Sequence, residues 1–89
     1  MHLISRFPEG IDIYIDGSTE DCPAMHVHAR AAEGESLFSI PDAEYIRGEA
    51  TMDTVIDVEA WLAFFEDDVR RAWDDASAGR VPASIDVLV

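Results

Sequence analysis

Two histidines, His26 and His28, stand two residues apart in the stretch AMHVHAR, and Arg30 follows two residues later. Side chains alternate across a β-strand, so on a strand all three share one face. The stretch IDIYID, residues 11–16, alternates strictly, with Asp12, Tyr14 and Asp16 on one face and Ile11, Ile13 and Ile15 on the other. A hairpin of the two strands gathers Asp12, Tyr14, Asp16, His26, His28 and Arg30 on one surface, with Arg6 from a preceding strand beside them. A carboxylate next to a histidine favours the imidazolium, which suits a general acid or a pH-sensitive contact. His, Tyr and Arg together suit a phosphate or carboxylate ligand. The structural alternative is ordinary pairing on a wet sheet face, each Asp–His or Asp–Arg pair contributing about 0.2–1 kcal/mol. No nucleophile or glycine-rich anion loop accompanies the cluster, so no catalytic residue is assigned. Histidines at i and i+2 with carboxylates nearby are compatible with zinc. There is no second histidine pair and no cysteine pair, so neither a metal nor a cofactor is expected.

The elements that position these residues are legible from the pattern. LISRF, 3–7, reads as a strand closed by the turn Pro8-Glu9-Gly10, and residues 11–16 as a half-buried strand. A polar loop runs from Gly17 to Pro23, and MHVHAR, 25–30, is the third strand, with Met25, Val27 and Ala29 on its apolar side. ESLFSI, 35–40, and EYIRGE, 44–49, continue the series around Pro41-Asp42-Ala43. From Asp53 onward the period changes to that of a helix, with Val58, Trp61, Leu62, Phe65, Val69, Ala72, Trp73 and Ala76 in one stripe and Ala78-Gly79 as the stop. SIDVLV supplies a further alternating run. The expected fold is α+β. A single domain, 1–89, holds an antiparallel meander of four to five strands over 1–50 and one long amphipathic helix over 53–78 on one sheet face. A terminal strand is expected within 82–89.

On that helix Phe64 lies off the apolar stripe, on the side of Asp57, Asp68, Arg71 and Asp75. An aromatic set among charges suits a partner anchor, because interface energy concentrates in a few such residues. Cover by the C-terminal segment or by the chain entering the helix is the other reading. Glu66, Asp67, Asp68, Asp74 and Asp75 crowd the exposed face, where Glu66–Arg70 and Asp67–Arg71 are favourable pairs one turn apart. The rest of that charge is either a solvated face or a surface spaced like phosphates, fit to compete with nucleic acid for a basic protein.

The whole chain agrees with that balance. Nineteen carboxylates against six arginines and no lysine give a net charge of −13 over 89 residues. Such a field repels nucleic acid and anionic membranes and favours basic partners, although adaptation to high salt or a GC-rich genome produces the same composition. Cys22 stands alone, so no internal disulfide forms. No apolar run has the length of a signal peptide core or a membrane span, and a cytoplasmic location is expected.

The order ISRF (4–7), IDIYID, a loop ending in Pro23, and His26-Val27, followed by EAWLAFFEDDVRRAWDDASAGR, resembles an uncharacterised family of small bacterial proteins, domain of unknown function 4160. The resemblance spans nearly the whole chain. Its members often carry Pro-Pro-His-x-His-Val before the third strand ends. His26 matches the second of those histidines, Ala24 replaces the first, and His28 stands where the family is usually polar or acidic. Suspected roles of members in two-gene toxin–antitoxin-like modules imply a protein partner and name no reaction.

Three readings follow. The first is a non-enzymatic acidic module that binds and antagonises a basic or nucleic-acid-associated protein, as an antitoxin or nucleic-acid mimic does. Its partner face is Asp57, Phe64, Glu66, Asp67, Asp68, Asp74 and Asp75. The second is a small enzyme or ligand-binding protein using the His/Tyr/Arg cluster on the open sheet face, and the third a homodimer through that face or Phe64. Length and charge favour the first, since 89 residues spare little wall for a catalytic pocket.

Overall fold

The computed structural model describes residues 1–20 and 22–87. Five strands form one sheet in chain order: β1 (His2–Arg6), β2 (Asp12–Ile15), β3 (His26–Ala31), β4 (Gly34–Ser39) and β5 (Tyr45–Gly48). All neighbours are antiparallel. The alternation of the second and third strands decides the layers. Ile13 pairs with Ala29, and Val27 with Phe38, which places one continuous apolar face across the sheet. Ile11, Ile13, Ile15, Val27, Ala29, Phe38 and Ile40 form a single buried cluster with Val58, Trp61, Leu62, Val69, Ala72 and Trp73 of the helical half. Sheet and helices therefore close one core between them, an α+β arrangement.

The helical half departs from the sequence expectation of one long helix over 53–78. It is two helices, α1 (Met52–Phe64) and α2 (Glu66–Ser77), broken at Phe65. The break falls at Phe65, whose backbone, φ −104° and ψ 27°, lies outside the helical region, and Trp61 and Trp73 are buried on either side of it. The acids Glu66, Asp67 and Asp68 occupy the first turn of α2, where carboxylates favour a helix start by meeting its positive end.

Residues 82–87 form no strand. Of the run expected to make one, Leu88 and Val89 lie outside the described residues. Instead the segment docks on the outer edge of β1: the Ile85 amide donates to the Ile4 carbonyl at 2.7 Å, and the Ser5 hydroxyl to the Ile85 carbonyl at 2.9 Å. The next carbonyl, of Asp86, turns inward and accepts the Trp61 indole N–H at 2.8 Å. A carbonyl committed to a side chain does not extend a ladder, yet the contact still shields an edge that would invite pairing.

The start of α1 is tied to the β3–β4 turn. Thr51 caps the helix by accepting the Thr54 amide at 3.2 Å. Glu33 Oε2 accepts the Thr51 amide at 3.1 Å and the Thr54 hydroxyl at 2.7 Å. These donors hold the Glu33 carboxyl below its ordinary value, the Thr51 backbone amide contributing most. A depressed carboxyl stabilises the fold above the ordinary carboxylate range and loses that contribution as pH falls through the lowered value. Glu33→Gln is therefore expected to lower the thermal midpoint at neutral pH and to narrow its gap from the parent as the solution is acidified. A pH series of melting curves checks this. A gap that stays constant into the acid range would count against the capping role.

Candidate functional site

The histidine pair is not on a wet surface, as the hairpin pattern led one to expect. His26 is 1% and His28 6% exposed. The sheet face is covered at this end because α2 reaches across it: the Trp73 ring lies 5.5 Å from that of His26, which in turn meets His28 edge-on at 5.1 Å. The registers Asp12 with Arg30 and Tyr14 with His28 do place the predicted polar side chains on a common face. They are divided into two groups there.

The outer group is a set of surface pairs. Arg6 Nε meets Asp12 Oδ1 at 3.1 Å, and the Arg30 guanidinium lies over the Tyr14 ring at 4.5 Å while its Nε donates to Glu35 Oε1 at 2.7 Å. Glu35 was not singled out from the sequence. The signal was available in the tight β3–β4 turn, which sets Arg30 opposite Glu35. The Arg30 bond pulls the Glu35 carboxyl below its ordinary value, and His28 adds to the effect against partial burial.

The inner group is Asp16, His26 and His28. The His26 Nδ1 lies 2.8 Å from the Ala24 carbonyl oxygen. A carbonyl only accepts, so this nitrogen carries the proton and the Nε2 of the neutral ring keeps its lone pair. His28 Nδ1 is 3.2 Å from Glu35 Oε2, and its Nε2 faces Asp16 Oδ2 at 3.6 Å. The other Asp16 oxygen, Oδ1, accepts the Ser18 amide at 3.0 Å. Both Nε2 atoms are buried without a hydrogen-bond partner. One ligand atom each from Asp16, His26 and His28 lie within 4.8 Å of one another.

The second surface is helical. Phe64 is 71% exposed and its ring lies against that of Phe65, ring centres 4.9 Å apart. Neither the C-terminal segment nor the chain entering the helix buries it. It also has company that the sequence reading did not name. Met52 and Ile56, 71% and 57% exposed, precede it at intervals that repeat every fourth residue. At about 100° per residue these positions spread over roughly 120° of the helix surface, on its outer side. α1 is thus apolar on its inner face, through Val58, Trp61 and Leu62, and again on its outer face. Asp57 and Asp53 border the outer stripe. Beside Ile56 a cleft of about 430 Å³ is walled by Glu9, Glu33, Asp53 and Asp57.

The acids expected to form the partner face on α2 are partly spent within the helix. Glu66 pairs with Arg70 at 2.8 Å as expected, but Arg71 pairs with Asp68 at 3.2 Å rather than with Asp67. Asp75 meets Arg80 at 2.9 Å. Asp67 and Asp74 remain on the exposed side, flanking the two arginines. Of the predicted acids, Asp57 lines the cleft beside Ile56.

A family model described as Domain of unknown function (DUF4160) matches residues 10–74, a span from the start of β2 into α2 that includes both the histidine cluster and the outer stripe of α1. No curated protein and no solved structure matches the chain.

Proposed function

The chain belongs to this family, whose description assigns no activity, and from the chain's own surface we propose that it is an acidic protein-binding module that captures a basic or nucleic-acid-associated protein through the outer face of α1. The observation that carries the reading is the exposed stripe of Met52, Ile56 and Phe64 beside a cleft walled by four carboxylates. An apolar centre with a charged rim is the usual anatomy of a binding face, and a few large side chains at its centre supply most of the energy. The carboxylate cleft is suited to one arginine or lysine of the partner, next to an apolar groove that takes Phe64. A partner covered in this way is kept from its other ligands, which is how an antitoxin or a nucleic-acid mimic acts.

A second copy of the chain fits this surface poorly. Each copy carries −13, and self-association would bring Asp53 and Asp57 of two molecules together without a neutralising cation. Sedimentation is accordingly expected to give a monomer mass independent of concentration.

Capture from a lysate of the native host tests the reading. The immobilised protein should retain basic proteins at low salt and release them at moderate salt. The double variant Ile56→Ser/Phe64→Ser should retain none of them, since losing such anchors weakens a complex by at least about thirtyfold. Asp67→Asn/Asp74→Asn should retain most. If the two double variants capture the same set as the parent, or if the retained proteins are acidic, the α1 face is not the binding surface.

A further inference from the structure

We propose that Asp16, His26 and His28 form a binding site for one divalent transition-metal ion, with Zn²⁺ the best match to the donors. The inference is independent of the α1 surface and rests on four features. In their neutral form the two imidazoles present Nε2 lone pairs, because their Nδ1 protons are directed at the Ala24 carbonyl and the Glu35 carboxylate. Both Nε2 atoms are buried without a hydrogen-bond partner. The third donor is a carboxylate oxygen, Asp16 Oδ2, 3.6 Å from His28 Nε2 and too far for a hydrogen bond. One ligand atom from each of Asp16, His26 and His28 lies within 4.8 Å of the other two.

Two lone pairs and a carboxylate facing one another in a buried space repel unless a cation lies among them. A single proton on one ring satisfies that ring and leaves the other without a partner. A metal ion satisfies all three atoms at once. Zinc takes histidine nitrogens and carboxylate oxygens at about 2.0–2.2 Å. Ligand atoms at that radius stand a little over 3 Å apart, so a modest rotation of the Asp16 and histidine side chains closes the set.

The surroundings are those of a metal site as well. A ligating histidine commonly donates its other ring N–H to a carbonyl or carboxylate, which fixes tautomer and orientation. Here Ala24 does this for His26 and Glu35 for His28, and Glu35 is itself held by Arg30 at 2.7 Å. Asp16 is oriented by the Ser18 amide on its Oδ1, leaving Oδ2 for the ion. The two histidines are buried while Asp16 is about a quarter exposed, so the ion enters from the Asp16 side. Three protein ligands leave a fourth position for water or a ligand oxygen. The sequence reading gathered Asp16, His26 and His28 on one face, but it looked for a second histidine pair or a cysteine pair and so expected no metal.

The test uses the whole chain, stripped with a chelator and titrated calorimetrically with Zn²⁺ in excess Mg²⁺, which occupies the surface carboxylates. One Zn²⁺ per chain and a raised thermal midpoint are expected. The ¹⁵N signals of Nε2 in His26 and His28 should move to the metal-bound range, while those of His2 should not. Asp16→Asn keeps the acceptor for the Ser18 amide, so it should melt like the parent without metal and bind Zn²⁺ at least about tenfold more weakly. Glu35→Gln should weaken binding by about tenfold through His28. No Zn²⁺ bound in the presence of Mg²⁺, binding that leaves both ring signals in place, or unaltered affinity in Asp16→Asn and His28→Gln would each overturn the site.

Discussion

Trp61→Ala is expected to remove about half or more of the folding stability. The indole is 1% exposed and lies between Phe7 and Phe65, ring centres 5.6 and 5.9 Å away. Truncating a buried tryptophan costs about 3–5 kcal/mol through lost burial and the cavity left behind. Domains of this size have a total stability of roughly 5–10 kcal/mol, so about half or more of it is lost. The indole N–H also holds the Asp86 carbonyl, and with it the segment that covers the edge of β1. Trp61→Phe separates the two contributions. It keeps much of the packing and removes the hydrogen bond, for an expected loss of about 1–2 kcal/mol and a fall in melting temperature of roughly 4–16 °C. Amide exchange should rise at Ile85, which bonds the edge of β1. The functional consequence runs through α1: Trp61 fixes the rotation of the helix about its axis, and so directs Met52, Ile56 and Phe64 outward. Urea denaturation of both variants measures the losses. If Trp61→Ala retains more than half of the parent stability, the indole does not anchor α1.

The sheet was legible because its signal is local. Ile11, Ile13 and Ile15 alternate with polar residues, and the same rule sorts Val27 and Ala29 from His26 and His28. Register followed from burial, since a slip of one residue would expose every isoleucine. What the pattern does not contain is what lies over the polar face. That depends on Trp73 of α2 reaching β3, a contact between residues far apart in sequence, and it turns a presumed wet surface into a buried cluster. The helix break was missed for a related reason. A single stripe through Val58, Trp61, Leu62, Phe65, Val69, Ala72, Trp73 and Ala76 fits one helix, and nothing in that pattern marks Phe65 as the residue whose backbone leaves the helical region. The acids at 66–68, read as a surface for a partner, also form the first turn of α2. The outer stripe of α1 was hidden by its own symmetry: apolar residues on two faces leave little periodic contrast, and Phe64 alone stood out because charged neighbours surround it.

Gly17→Ala is expected to couple the two halves of the molecule in one measurement. Gly17 has φ +71°, and a Cβ there would lie 2.4 Å from the Ser77 nitrogen and 2.7 Å from the Ala76 carbonyl carbon. Both are backbone atoms at the end of α2, so no side-chain rotation relieves the clash. The same contact carries a hydrogen bond from the Ser77 hydroxyl to the Gly17 carbonyl at 2.8 Å. Either the last turn of α2 lifts from the loop, withdrawing support from Trp73 and His26, or the loop shifts and takes Asp16 with it. The left-handed backbone costs an alanine about 1–3 kcal/mol, and the forced separation adds about 1–3 kcal/mol more. A fall in melting temperature of more than about 10 °C follows. Gly10→Ala is the control, because φ there is +95° but a Cβ would meet nothing within 4 Å. It bears the backbone cost alone, so the difference between the two variants isolates the contact between the loop and α2. Zn²⁺ affinity should fall in Gly17→Ala and hold in Gly10→Ala, since only the first displaces Asp16 or the cover over His26. Equal loss of stability in both variants would mean that α2 yields without resistance, and that its end does not position the loop carrying Asp16.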